Sequence, residues 1–101
     1  MRCNTTLNQG KEFFDMKEIT MMILNDCPHC KRARKMIEAL QEKNPEYRDI
    51  VINAYDETEH PDISAKFDYY YVPSLFIDGK KLHEGVPTFE SIENVLKAAL
   101  E

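Results

Sequence analysis

Four segments of the chain have the hydrophobic pattern of β-strands. Residues 19–24 form a compact apolar run of the length of a buried strand, and residues 50–52 are β-branched. Residues 74–77 and 80–84 flank the dipeptide Asp78-Gly79. Because this dipeptide favours a two-residue turn, the last two segments are predicted to form a β-hairpin.

Apolar residues recur at helical spacing in two other regions. The first helix is predicted to begin at Pro28, which suits a first helical position, and to end before Asn44-Pro45. Its apolar positions are Cys30, Ala33, Ile37 and Leu40. Thr88 is predicted to be the N-cap of a C-terminal helix. The apolar stripe of that helix is Phe89, Ile92, Val95, Leu96 and Ala99. A short helix is also predicted from Pro61 through Phe67.

The predicted element order is β-α-β-α-β-β-α. A strand–helix–strand unit prefers a parallel, right-handed crossover, and helices are needed to cover both faces of a central apolar sheet. Residues 19–101 are predicted to form the domain. Residues 1–18 are predicted to be an extension that either docks through Phe13, Phe14 and Met16 or is flexible.

Composition limits the classes of protein that this chain can represent. Its 101 residues suffice for one domain, and an apolar share of 43% allows a folded core. Its 18 acidic and 13 basic residues argue against nucleic-acid binding. Neither a membrane-spanning run nor a basic-then-apolar leader is visible, so we expect a cytoplasmic protein that does not bind membranes.

Cys27-Pro28-His29-Cys30 is the candidate chemical centre. A cysteine at a strand-to-helix junction lies among unpaired backbone N–H groups, which favour the thiolate and activate Cys27 as a nucleophile. Cys30 lies one turn further along the helix and can resolve a mixed disulfide by attacking Cys27. An imidazole at His29 can stabilise the thiolate further, or His29 is simply an exposed residue at the start of the helix.

The first turns of this predicted helix are basic. Cations there oppose the helix dipole, so the cluster either raises the local potential for a thiolate or a carboxylate-bearing thiol substrate, or is a solvated face. The cluster consists of Lys31, Arg32, Arg34 and Lys35.

Two motifs together resemble the thioredoxin superfamily, and more specifically a short glutaredoxin-like or thioredoxin-like protein. They are Cys27-Pro28-His29-Cys30 after an apolar strand, and the segment from Tyr71 to Lys80, which contains Val-Pro-Ser-Leu-Phe-Ile-Asp-Gly. The resemblance covers residues 19–100. It implies a three-layer α/β/α sandwich with a mixed four-stranded sheet, and thiol–disulfide exchange as the activity.

The resemblance also implies a substrate site. Pro73 corresponds to the cis-proline of the family, whereas the residues alone favour a trans proline at the start of a strand. Val72 would present its backbone to a substrate as an added strand. The predicted substrate-binding residues are Pro28, Lys31, Tyr71, Val72 and Pro73. We expect a monomer that needs no cofactor. Its expected partners are disulfide-bearing proteins or glutathione mixed disulfides, a thiol or flavoprotein reductant, and glutathione as an optional co-substrate.

Several positions depart from the patterns of the family. Leu24, Asn25 and Asp26 stand where glutaredoxins usually have a lysine. Tyr71 replaces their usual threonine. The segment from Glu84 to Thr88 is closer to the thioredoxin pattern, but Met21 replaces the buried carboxylate of thioredoxins.

A metal-binding module is the alternative hypothesis. Cys27, with or without Cys30, could ligate zinc or an iron–sulfur cluster, although no second Cys-x-x-Cys motif is present. Cys3 could be a third redox partner, a metal ligand or a passive residue. The three tyrosines at 69–71 are expected to be mainly structural, and the acidic segment 56–62 is expected to be a solvated turn.

Overall fold

The computed structural model describes residues 16–101 and has the predicted element order. The strands are β1 (Ile19–Ile23), β2 (Ile52–Asp56), β3 (Ser74–Ile77) and β4 (Lys80–Glu84). The helices are α1 (Pro28–Lys43), α2 (Pro61–Ser64) and α3 (Phe89–Leu100), and a 3-10 turn covers Pro45–Tyr47.

The strands form one mixed sheet of four, in the order β2-β1-β3-β4. Strands β1 and β2 pair in parallel, with α1 as the crossover, and the other two pairings are antiparallel. In the antiparallel pairing of β1 with β3, Met22 lies opposite Ser74. The end of β1 therefore lies beside the start of β3, and this edge of the sheet carries the site described below.

The two faces of the sheet are covered by different elements. Met21 and Leu75, which are paired across β1 and β3, belong to the core cluster that includes residues of α1 and α3. On the opposite face, the ring of Phe76 packs against Phe67 and Tyr69, which follow α2, at centroid distances of 4.6 and 6.1 Å. Successive residues of a strand point to opposite faces, so this arrangement confirms the predicted three-layer α/β/α sandwich.

Local sequence accounts for the positions of α1, α3 and the hairpin. Pro28 occupies the first turn of α1, and Thr88 forms a reciprocal capping box with Ser91 at the start of α3. Asp78 and Gly79 have φ values of 53° and 80°, as a tight turn between β3 and β4 requires. The predicted stripes on α1 and α3 are buried, except that Phe89 is 52% exposed.

Two elements differ from their predicted bounds by more than one residue. Strand β2 begins at Ile52 and continues to Asp56, because pairing with β1 extends the strand through polar residues that a hydrophobic pattern does not mark. Ile50 is instead buried in the preceding turn. Helix α2 ends at Ser64. From there to Phe67 the backbone forms turns, in which the N–H groups of Lys66 and Phe67 each donate to the carbonyl three residues earlier.

The described part of the chain begins before the first strand. Met16 packs against the core, and the Lys17 N–H donates to the Ala99 carbonyl over 2.8 Å. Cys3, Phe13 and Phe14 lie outside the described residues. Between residues 16 and 101, no helix combines the length and the apolar character needed to cross a membrane.

Candidate active site

Cys27 occupies the N-cap position of α1, immediately before Pro28. Its side chain is half-buried and makes no conventional capping hydrogen bond. Burial alone would raise the pKa of the Cys27 thiol. The net shift is downward, because the backbone N–H and thiol of Cys30, the backbone N–H of His29 and the positive charge of Arg32 together outweigh burial. Cys27 is therefore the more readily ionised thiol of the pair.

Cys30 lies one turn into the helix and belongs to the core. It is 2% exposed, and burial, reinforced by the neighbouring Cys27 sulfur, raises the pKa of its thiol to about 11. Both cysteines are free thiols, close enough to interact through their side chains. The structure thus brings together an accessible, acidic thiol and a buried, weakly acidic one.

The side chain of His29 pairs with Arg32. Arg32 Nη2 lies 2.8 Å from His29 Nδ1. Since a guanidinium can only donate hydrogen bonds, Nδ1 is the acceptor of this hydrogen bond. The backbone N–H of His29 contributes to lowering the pKa of Cys27, whereas a tuning role of its imidazole stays a prediction.

The other basic residues of the predicted cluster are exposed on α1. Arg34 borders a groove of about 180 Å³ whose other lining residues belong to β1, β2 and α1. Pro28 and Lys31 are exposed beside Cys27 in the sequence. The charge of Arg32 contributes to lowering the pKa of Cys27, and the charge of Arg34 opposes the rise in the pKa of Cys30.

The Val72–Pro73 peptide bond is cis, as the family resemblance implied, so the trans alternative is wrong. The pairing of Met22 with Ser74 places this bond beside the end of β1, a few residues before Cys27. Pro73 is buried, Val72 is half-buried and Tyr71 is 70% exposed. The dithiol and the predicted substrate-binding segment therefore lie at the same edge of the sheet.

Comparison with known proteins agrees with this geometry. A family model described as a thioredoxin domain matches residues 16–97. The chain belongs to the thioredoxin family. A thioredoxin of Methanocaldococcus jannaschii is 26% identical over 74 residues, which cover 73% of this chain and 85% of that protein.

Two solved structures show the same fold as this thioredoxin-family chain. A protein disulfide oxidoreductase from Aeropyrum pernix has a TM-score of 0.59 and 31% identity over 83% of this chain, which spans only 38% of that protein. The oxidised thioredoxin of Plasmodium falciparum has a TM-score of 0.64 and 15% identity, over 87% of this chain and 85% of that one.

Asp56 is a residue of this thioredoxin domain that sequence reasoning misinterpreted as part of a solvated turn. It is 7% exposed, and its carboxylate accepts hydrogen bonds from the backbone N–H of Asn25 over 2.8 Å and of Thr58 over 2.7 Å. The bond to Asn25 ties the end of β2 to the turn before Cys27. An Asp followed two residues later by Thr is a local turn signal, but nothing local indicates the partner 31 residues away.

Asp56 also lines a cleft of about 370 Å³ beside the nucleophilic position. The other lining residues are Leu24, Asn25, Asp26, Cys27 and Thr58. The hydrogen bonds to Asp56 lower the pKa of its carboxyl, chiefly through the Thr58 hydroxyl and the Asn25 N–H. This side of Cys27 is therefore negatively charged at neutral pH.

Tyr69 and Tyr70 differ in their surroundings, and the metal-binding alternative lacks a grouped set of ligands among the described residues. Tyr69 donates its hydroxyl proton to Glu57 over 2.8 Å, which agrees with a structural role, whereas Tyr70 is 88% exposed. Among residues 16–101, no three His, Cys, Asp or Glu side chains are grouped so that they could hold a metal ion.

Proposed function

We propose that this protein is a thiol–disulfide oxidoreductase in which Cys27 is the nucleophile and Cys30 the resolving thiol. The observation that carries the proposal is the difference in exposure and in pKa between the two thiols. Cys27 is accessible and has a lowered pKa, while Cys30 is buried and has a pKa raised to about 11. The thiolate is the attacking species, so the first step belongs to Cys27. The thioredoxin of M. jannaschii and the A. pernix protein disulfide oxidoreductase support the same class of activity.

The proposed reaction begins when the Cys27 thiolate attacks one sulfur of a substrate disulfide. A new S–S bond joins Cys27 to the substrate, and the other substrate sulfur leaves as a thiolate that takes up a proton. Forming the mixed disulfide removes the negative charge on Cys27, which is one of the causes that raise the pKa of Cys30. Cys30 therefore loses its proton more easily once the mixed disulfide has formed.

In the second step Cys30 attacks the Cys27 sulfur. Its proton passes to the departing second substrate sulfur, either directly or through solvent. The products are a reduced substrate carrying two thiols and a Cys27–Cys30 disulfide, so two electrons and two protons move to the substrate. Reversal of these steps oxidises a dithiol substrate, and a thiol or flavoprotein reductant would return the protein to its dithiol form.

The substrate-binding part of the proposal concerns the segment before β3. Val72 would offer its backbone N–H and carbonyl to an extended polypeptide carrying the disulfide, in the manner of an added strand. Tyr71 and Pro73 flank that residue, and Pro28 and Lys31, which are exposed and close to Cys27 in the sequence, would contact the substrate near the reacting sulfur. This arrangement favours protein disulfides as substrates.

Reduction of insulin disulfides, with dithiothreitol as the electron source, tests the proposal. We expect the wild type to accelerate reduction and Cys27→Ser to abolish the acceleration. Mixed with insulin in the absence of dithiothreitol, reduced Cys30→Ser should form a covalent adduct with the substrate, visible by mass spectrometry and released by excess thiol. Activity in Cys27→Ser equal to that of the wild type would contradict the assignment of the nucleophile.

The electron donor is a separate part of the proposal. Glutathione with glutathione reductase, or a flavoprotein thioredoxin reductase with its nicotinamide substrate, should support turnover of a disulfide substrate. The two systems can be compared at equal protein concentration by following nicotinamide oxidation. A preference for the glutathione system would support the glutaredoxin-like subtype, and we propose a cytoplasmic location for either subtype.

A further inference from the structure

Glu84, the last residue of β4, binds the backbone of the segment that precedes the cis-proline. Its Oε2 accepts hydrogen bonds from the N–H groups of Tyr70 and Tyr71, at 2.5 and 2.9 Å. Its Oε1 accepts a hydrogen bond from Lys81 Nζ at 2.7 Å. One carboxylate thus joins the end of β4 to two successive backbone amides of a segment that has no helix or strand of its own.

Two other hydrogen bonds secure the same segment. Ser74 Oγ donates to the Tyr71 carbonyl over 2.5 Å, and the Gly85 N–H donates to the Pro73 carbonyl over 2.9 Å. Gly85 has a φ of 91°, a conformation suited to glycine, and a Cβ at that position would lie 3.9 Å from the Cβ of Tyr71. The backbone on both sides of Val72 is therefore held by groups at the end of β4 and the start of β3.

Val72 itself is left without such a partner. In the described part of the chain, it takes part in none of the backbone hydrogen bonds of turns and loops. Among residues 16–101, no group occupies its N–H or carbonyl, so both can pair with an incoming strand, while its neighbours Tyr71 and Pro73 are fixed.

The charge of Glu84 suits this anchoring role. The hydrogen bond from Lys81 makes the largest contribution to lowering the pKa of the Glu84 carboxyl, and the N–H groups of Tyr70 and Tyr71 add to it. The resulting pKa is about 2. The group is therefore an anion throughout the neutral range. Hydrogen bonds from backbone N–H groups to a carboxylate are stronger than those to a neutral acceptor.

We propose that Glu84 is a positioning residue that holds the Tyr70–Tyr71 backbone so that Val72 can bind polypeptide disulfides. The inference rests on the proposed function and extends it, because it assigns selectivity for polypeptides over small disulfides to a residue that does not touch the sulfurs. A small disulfide reacts with Cys27 without pairing to Val72, so its reaction does not need the anchored segment.

Steady-state kinetics on two substrates test this inference. The substrates are a peptide cyclised by one disulfide and the small aromatic disulfide dithiobis-nitrobenzoate. For Glu84→Ala we expect KM for the cyclic peptide to rise about tenfold, which corresponds to the loss of about 1.4 kcal/mol of binding, with kcat changed less than about twofold. The rate with the small disulfide and the pH profile of Cys27 alkylation should not change.

Two further variants separate anchoring from charge and from general damage. Glu84→Gln keeps an oxygen that can accept both N–H groups but loses the charge that strengthens those hydrogen bonds, so we expect its KM for the peptide to lie between those of the wild type and Glu84→Ala. Lys81→Met removes the ion pair and leaves the carboxylate and its amide contacts, so we expect a peptide KM closer to that of the wild type than Glu84→Gln gives. Equal losses for both substrates, or a peptide KM in Glu84→Ala equal to that of the wild type, would overturn the inference.

Amide hydrogen exchange in the wild type keeps the inference testable if Glu84→Ala does not fold. The Tyr70 and Tyr71 amides should exchange more slowly than those of unstructured peptides, and exchange at the unstructured rate would also overturn it. If the wild type reduces neither substrate, the proposed function fails. If it reduces both and Glu84→Ala changes neither KM, the inference about Glu84 fails alone.

Discussion

Alkylation of the two active-site thiols as a function of pH is the most direct measure of the difference between them. With a pKa of about 11, Cys30 is ionised to about one part in ten thousand at pH 7. An ordinary cysteine, with a pKa near 8.5, is ionised to about 3%. The thiolate population of Cys30 is therefore about 300-fold below that of an ordinary thiol.

Part of this difference in thiolate population is offset by a difference in nucleophilicity. A thiolate of higher pKa is a better nucleophile, and a Brønsted slope of about 0.4–0.5 over a difference of about 2.5 in pKa restores roughly tenfold. Cys30 should therefore react at least about 20-fold more slowly than an ordinary cysteine, before its 2% exposure is considered. Cys27 has a lowered pKa, so it should carry more thiolate at pH 7 than an ordinary cysteine.

The assay is brief treatment of the fully reduced protein with iodoacetamide from pH 5 to 10, with each cysteine quantified by peptide mass spectrometry. At pH 7 we expect Cys27 to be labelled at least about 20-fold faster than Cys30. The same protein in denaturant is the control, because unfolding should bring the two rates close together. Labelling of folded Cys30 within a few-fold of Cys27, or a midpoint for Cys27 at or above that of a free cysteine, would refute the reasoning.

Three other predictions follow from residues around the site. Leu96→Ala should lower the free energy of unfolding in urea by about 2–5 kcal/mol without moving the alkylation profile of Cys27, because Leu96 is 0% exposed; a cost no larger than that of Leu82→Ala, at a position 37% exposed, would contradict its core role. Arg32→Gln should move the alkylation midpoint of Cys27 to higher pH, since a nearby positive charge is lost; an unchanged midpoint would show that this charge does not act on the thiolate. The lowered pKa of Asp56 means that its stabilising contribution is complete above the unfolded value of about 3.9 and is lost as pH falls through the folded value. Asp56→Asn should therefore unfold more easily at pH 6 and lose less of its stability toward pH 2 than the wild type; parallel pH profiles would contradict this.

Much of the framework was predictable because its signals are local. Pro28 and the apolar stripe of α1 lie within one element, and the turn at Asp78-Gly79 needs only the backbone freedom of those residues. The positions of Cys27 and Cys30 relative to the helix follow from the same local rules. The cis bond before Pro73 was anticipated only through the family resemblance, because the residues alone favoured trans.

The groups that position the site could not be found in this way. Glu84 looks like an exposed residue of a hairpin until the fold brings it to Tyr70 and Tyr71, 14 and 13 residues away in the sequence. Strand β2 has weak local signals and becomes a strand through its pairing with β1. The sequence by itself therefore determined which elements form and where the two thiols lie on them. Only the tertiary structure decided which carboxylates hold the adjoining loops, because hydrogen-bond partners distant along the chain are chosen when the sheet assembles.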